Sequence, residues 1–276
     1  MKKNNLKKII VATLFIFITL GCNNRTDENS QSSSDEETTE LNETENEENL
    51  ENVEIVKDHE GSKYKTVTIG NQIWISENLN TSYFNNGEKI PEAKTVEEWA
   101  KAFEEGKPAW CYYENTLSNG EKYGKLYNWY VLKDSRGISP NGWHLPSCDE
   151  FKQMRDEFGG LETSGLHLKS TTSWCKRYSG EEGNGTNNSG FSGLAGGYRD
   201  SQGNFSSLTK EGYWWSSTNV TDRLSNSGNP TKIVGHEGSE DKFAYPLNIS
   251  SNSNYGSSAN PWEIGYGFSV RLIKDN

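Results

Sequence analysis

The stretch SPNGWHLPSCDEF, residues 139–151, combines a helix start with one of the four histidines in the chain. Ser147 followed three residues later by Glu150 has the form of a capping box, in which hydroxyl and carboxylate each accept from the other residue's backbone amide. Phe151, Met154 and Phe158 then recur at helical spacing before Gly159 and Gly160 stop the run. The stretch predicts a short amphipathic helix laid on a core, with Trp143 and His144 leading into it. Whether His144 does chemistry decides how the rest of the chain is read.

A second capping box stands upstream in KTVEEWAKAFEEG, where Thr95 and Glu98 precede Val96, Trp99, Ala100 and Phe103 on one helical face. Ahead of it, KYKTVTIGNQIWISENLN alternates Val67, Ile69, Ile73 and Ile75 about Gly70-Asn71, the mark of a two-residue hairpin. Further strands are expected at GYWWSST, FAYPLNIS and GFSVRLIKD. In the last, Phe268, Val270 and Leu272 oppose Ser269, Arg271 and Ile273. The connections from Ser179 to Gly190 and from Thr221 to Glu240 exceed ordinary turn lengths. The expected fold class is α+β, with two short amphipathic helices, a mostly antiparallel sheet and long loops.

This domain occupies residues 61–276, about 215 residues and enough for one core. All nine tryptophans lie between Trp74 and Trp262. What precedes it is different in kind. MKKNNLKK is cationic, and Ile9 to Gly21 is an apolar run too short to span a bilayer, so residues 1–21 read as an export signal. FITLGCNN resembles the lipobox of bacterial lipoproteins, with Thr19 where Leu is usual, and this implies cleavage before Cys22 and lipidation of its thiol. Two or three acyl chains would then hold the protein to a membrane, the bacterial outer membrane being the expected location. Residues 22–60 form the tether: from Asn23 to Glu60 there are 14 acids and two cations, a net charge of −12. With +4 in the leader and −11 overall, only −3 remains for residues 61–276, so the acidity belongs to the tether. Such a composition predicts disorder, with a reach of about 35 Å as a random coil. It resembles the acidic stretch behind the lipidated cysteine of surface-displayed lipoproteins of the Bacteroidetes type.

Six blocks occur in order: IGNQIWISENLN, YGKLYNWY, SPNGWHLPSCDEF, NNSGFSGLAGGYRDSQGNF, GYWWSST and FSVRLIKD. In order and spacing they resemble the Fibrobacter succinogenes major paralogous domain, a family of bacterial surface and secreted proteins without a settled activity. The resemblance implies a C-type-lectin-like fold, similar to that of formylglycine-generating enzymes. Family members often carry a cysteine before the proline of the GWHLP block and another after the arginine of the last strand; Ser139 and Leu272 stand there in this chain. That implied disulfide is therefore absent. Cys111, Cys148 and Cys175 remain, with three pairings open or all thiols free.

No catalytic constellation is legible. His144 has no metal-ligand spacing around it, His59 falls in the tether, and His167 and His236 are remote in sequence. The expectation is that His144 packs between Trp143 and the capped helix, with a ring nitrogen bonded to a local carbonyl. GFSGLAGGYRD lacks the G-K-[ST] of a phosphate loop, Asp149 and Glu150 point apart, and no G-x-S-x-G elbow is present. The copper-holding cysteine pair that resemblance to the oxidases would require is missing, since no cysteine follows Cys175. Neither are the E-P-N or Q-P-D and W-N-D runs of calcium-dependent lectins present. Net negative charge and the lack of a basic patch argue against nucleic acid. The expectation is a surface-anchored, non-catalytic module without cofactor or metal, meeting a glycan or a surface protein through Trp214, Trp215, Trp262 and Tyr266. Of the adjacent pair Trp214 and Trp215, one is expected buried and one exposed. The alternatives are a structural or adhesive envelope protein and, less favoured, an oxidase.

Overall fold

The computed structural model describes residues 54–227 and 239–276; Cys22, the leader, most of the acidic stretch and His236 lie outside them. The chain starts with β1 (Ile55–Lys57), which pairs antiparallel with β2 (Lys63–Ile69). This corrects the expected boundary at residue 61. Val56 is buried in the main core, and the Asp58 carboxylate accepts hydrogen bonds from the Tyr64 hydroxyl (2.6 Å) and the Ser62 amide (2.9 Å). Ile55 and Val56 are adjacent in an acidic run and show no alternation, so the strand is invisible until its partner is in place.

The expected hairpin forms, β2 pairing with β3 (Gln72–Ile75) about Gly70, which holds φ at 58°. There follow α1 (Val96–Glu104), β4 (Trp110–Cys111), α2 (Leu117–Tyr123), β5 (Leu126–Tyr127), α3 (Trp129–Lys133), β6 (Trp143–His144), α4 (Cys148–Asp156) and α5 (Ser164–Leu168). The second half contains β7 (Gly196–Arg199), β8 (Phe205–Leu208), β9 (Glu211–Asn219), α6 (Val220–Ser227), β10 (Phe243–Ser250), β11 (Gly256–Ser257), β12 (Trp262–Glu263) and β13 (Ile273–Lys274). Both capping boxes are complete, Thr95 with Glu98 on α1 and Ser147 with Glu150 on α4. The expectation of two helices is corrected: four more occur among the described residues. Three of them span five to seven residues, too short for a helical period to show. The fourth, α6, occupies the start of the expected Thr221–Glu240 loop.

One sheet runs β1-β2-β3-β13-β6, and in a second β10 pairs with β9, β11 and β12; the strand pairs within both are antiparallel. The fold is thus mixed α and β, mostly antiparallel. The last strand is shorter than expected, because Phe268 and Ser269 make isolated bridges to Tyr127 and Trp214 rather than a ladder. Both its faces are covered. Phe268, Val270 and Leu272 enter the main apolar cluster, whereas Ile273 enters a second one built on Trp74, Phe151 and Met154. The capped helix α4 therefore lies on the core as its pattern requires.

Candidate binding site

Trp214 and Trp215 are both fully buried, which corrects the expectation that one would be exposed and removes both from any ligand site. Strand β9 lies between the two apolar clusters, so its alternation sends Trp214 into one and Trp215 into the other. Each indole is satisfied internally: Trp214 Nε1 donates to Asn78 Oδ1 (2.8 Å), and Trp215 Nε1 donates to the Tyr127 carbonyl (2.9 Å).

Trp262 and Tyr266 are half-buried and adjacent, with ring centroids 5.2 Å apart. The structure adds a third ring, Tyr198 on β7, 5.9 Å from Trp262 and 5.6 Å from Tyr266. All three rest on buried Tyr213 and Phe268, which stack at 4.7 Å and 11°. Trp262 meets Tyr213 edge-on at 5.3 Å. Beside the rings stands a polar rim. Ser201 Oγ donates to Glu263 Oε2 (2.6 Å), exposed Gln202 donates to Ser201, and the Tyr213 hydroxyl donates to Glu211 Oε2 (3.0 Å). Burial, together with the Glu211 charge, holds the Tyr213 phenol protonated well above its ordinary range. The result is a rigid aromatic surface bordered by carboxylate and amide groups, which suits a ligand with both apolar faces and hydroxyls. Tyr198 escaped the sequence reading because it sits inside a glycine-rich block, and β7, β12 and the segment before β13 meet only in the folded chain.

Four buried cations, Lys125, Lys169, Arg199 and Arg271, have another role. Arg271 is wholly buried, its Nε donating to Asn78 Oδ1 (2.7 Å) and its terminal nitrogens to the carbonyls of Ile75 (3.1 Å), Phe191 (2.8 Å) and Ser192 (3.4 Å). Arg199, 1% exposed, donates to the carbonyls of Gly203, Ala93, Lys94 and Thr95. Lys169 holds the carbonyls of Ser250 and Ser253, and Lys125 that of Asn80. None of the four enters an ion pair among the described residues. Burial accordingly pushes Arg271 down to about 9 and Lys169 down to about 8. A loop-rich interior leaves many carbonyls without ladder partners, and buried cations supply donors for them. Aromatic faces complete the solvation: Arg199 lies 4.9 Å from the Trp99 ring centroid and Lys125 4.4 Å from that of Trp110.

His144 is structural, but not through a carbonyl, and that expectation is corrected. Its Nδ1 lies 2.6 Å from Asp275 Oδ1 and its Nε2 lies 2.8 Å from Glu150 Oε1. The second oxygen of Glu150 closes the capping box on the Ser147 amide (2.7 Å). Burial pulls the imidazole down, but the hydrogen bonds and charges of Glu150 and Asp275 outweigh it and hold His144 above its ordinary value. The ring is thus an imidazolium clamped between α4 and the end of the chain. Among the described residues Cys111 and Cys148 are buried free thiols and Cys175 is a half-buried one, and no cluster of three metal-ligating side chains occurs. Burial pushes the Cys111 thiol up to about 12, where it is unreactive. His59, read as tether, lies 6.0 Å from the Tyr83 ring inside the folded unit.

No helix among the described residues is long and apolar enough to cross a membrane. Comparison with curated proteins finds no match, and comparison with solved structures finds none. The family model of the Fibrobacter succinogenes major domain matches residues 67–274, well over half of the chain and including all six sequence blocks except the final Asp275. The chain belongs to the Fibrobacter succinogenes major domain family.

Proposed function

We propose that this chain is an exported, lipid-anchored surface protein whose domain is a non-catalytic binding module of C-type-lectin-like fold, holding glycans at the aromatic patch. The observation that carries the reading is the Tyr198–Trp262–Tyr266 triad, three half-buried rings fixed by a stacked aromatic base and bordered by Glu263, Ser201 and Gln202. Rigid rings lose little entropy on stacking against a sugar face, and the rim supplies acceptors for its hydroxyls. The cationic leader, short apolar run and Cys22 support lipid anchoring, with the acidic stretch as spacer.

The test is a glycan array probed with the purified chain, followed by titration of any hit against Trp262→Ala and Tyr266→Ala. Loss of at least about tenfold in affinity with an unchanged melting temperature is expected. An array without hits, or hits indifferent to both substitutions, overturns the patch assignment. Binding only to surface proteins moves the reading to the adhesive alternative. Anchoring is tested separately: Cys22→Ala should abolish acyl labelling, and persistent labelling refutes it.

A further inference from the structure

The aromatic patch carries a sign. Elsewhere in the protein aromatic faces are covered by cations: Lys125 lies 4.4 Å from the Trp110 ring centroid, Lys133 4.8 Å from that of Trp129 and Arg223 4.5 Å from that of Tyr245. No lysine or arginine lies over Tyr198, Tyr213, Trp262, Tyr266 or Phe268 among the described residues. The charges beside these rings are carboxylates. Glu263 follows Trp262 and accepts from the Ser201 hydroxyl (2.6 Å), Glu211 accepts from the Tyr213 hydroxyl (3.0 Å), and Asp200, two residues after Tyr198, accepts from the Asn204 amide (2.8 Å). None of the three enters an ion pair among the described residues. Arg199 neighbours Tyr198 in β7, but its guanidinium faces the Trp99 and Phe205 rings and donates to carbonyls there. Lys210 and Lys242 are exposed neighbours in sequence of Glu211 and of the β10–β12 pairing, and neither forms an ion pair with these carboxylates. Tyr266 reports the resulting field: burial first, then Tyr198, Asp200 and Glu263, hold its phenol above the ordinary value.

An aromatic face is the negative side of a quadrupole, so ring faces beside unpaired carboxylates repel an anion and attract a cation. Tyr198, Trp262 and Tyr266 are half-buried rather than enclosed, and Asp200, Glu211 and Glu263 are half-buried as well. Both kinds of group are therefore open to a ligand. The three rings pack at 5.2–5.9 Å, which leaves no space between them, so a ligand lies across the patch rather than inside it. A protonated amino sugar matches each part: its C–H face stacks on a ring, its hydroxyls meet exposed Gln202, and its ammonium group faces the carboxylates. We infer that the patch selects glycans that carry a free, protonated amine over neutral or acidic ones. This rests on the glycan reading for the sugar frame of the ligand and adds its charge.

The test is calorimetric titration of the full chain with a β-1,4-linked glucosamine tetramer, with its fully N-acetylated counterpart, and with a galacturonate tetramer. The first two share one backbone and differ in charge. The amine form should bind at least about fivefold more tightly than the acetylated form at low salt, and the gap should narrow as NaCl is raised to about 0.5 M. The galacturonate tetramer should bind most weakly. Glu263→Gln and Glu211→Gln keep an acceptor for Ser201 and Tyr213, so the melting temperature should hold while each lowers the preference for the amine form at least about twofold. Trp262→Ala should weaken both glucosamine forms. Trp262-dependent binding of the acetylated tetramer with equal or higher affinity overturns the charge preference and leaves the glycan reading standing. A preference that is indifferent to both glutamate substitutions, or to salt, overturns it as well. Should no tetramer bind while trilysine does so in a Trp262-dependent way, the ligand is a cationic peptide, and the glycan reading falls together with this inference.

Discussion

His144→Gln isolates the charge clamp between α4 and the chain terminus. In the native protein each ring nitrogen faces a carboxylate, at 2.6 Å for Asp275 and 2.8 Å for Glu150. Hydrogen bonds to charged groups contribute about 1.5–3 kcal/mol each when buried. Here the His144 side chain is 40% exposed and that of Asp275 54%, so solvent screening lowers the value for this pair to about 0.3–1 kcal/mol. Glu150, 21% exposed and fixed by the capping box, retains about 1 kcal/mol. The clamp is therefore worth on the order of 1.5 kcal/mol in its charged form, or about 3–6 °C in melting temperature for a domain of this size. Its pH dependence follows from the raised pKa. An unfolded histidine titrates near 6.5, so below that pH both states are protonated and the full stabilisation is present. As pH rises above 6.5 the unfolded chain releases its proton first, and the stabilisation fades until the folded pKa has been passed. Urea unfolding of the native protein and of His144→Gln at pH 5.5, 7 and 9 should show a gap of about 1–2 kcal/mol at pH 5.5 that narrows with rising pH. Other titrating groups cancel in the difference. A gap that is constant with pH, or that widens toward pH 9, would refute the imidazolium assignment.

Three further outcomes follow from packing and hydrogen bonding. Ser147→Ala removes the hydroxyl that accepts from the Glu150 amide (3.2 Å) and should cost about 1 kcal/mol in denaturant unfolding. Arg271→Met leaves the Asn78 side chain and the carbonyls of Ile75, Phe191 and Ser192 without their buried donor; a loss of at least about 3 kcal/mol is expected, and a melting temperature within a degree of native would contradict the carbonyl-solvation role. A fragment of residues 61–276 lacks β1 and the Asp58–Tyr64 hydrogen bond, so calorimetry should show it melting below residues 54–276; equal transitions would return the boundary to residue 61.

Much of the local structure was legible because its causes are local. A capping box spans four residues and a hairpin turn two, so Thr95, Ser147 and Gly70-Asn71 announced their elements without help from the rest of the fold. The sequence by itself also determined family membership, through six ordered blocks, and the absence of a Ser139–Leu272 crosslink. Only the tertiary structure decided which side chains serve a site. Trp214 and Trp215 alternate as a strand demands, but both are buried because β9 has a core on each face, and no strand records in its own sequence what covers its second face. His144 finds Asp275 across 131 residues because β6 pairs with β13, a strand order set by packing rather than by neighbours in the chain. Tyr198 joins Trp262 and Tyr266, and Ser201 joins Glu263, for the same physical reason: ring contacts and rim hydrogen bonds depend on how separate elements close over a shared core, and local propensity carries no term for that distance.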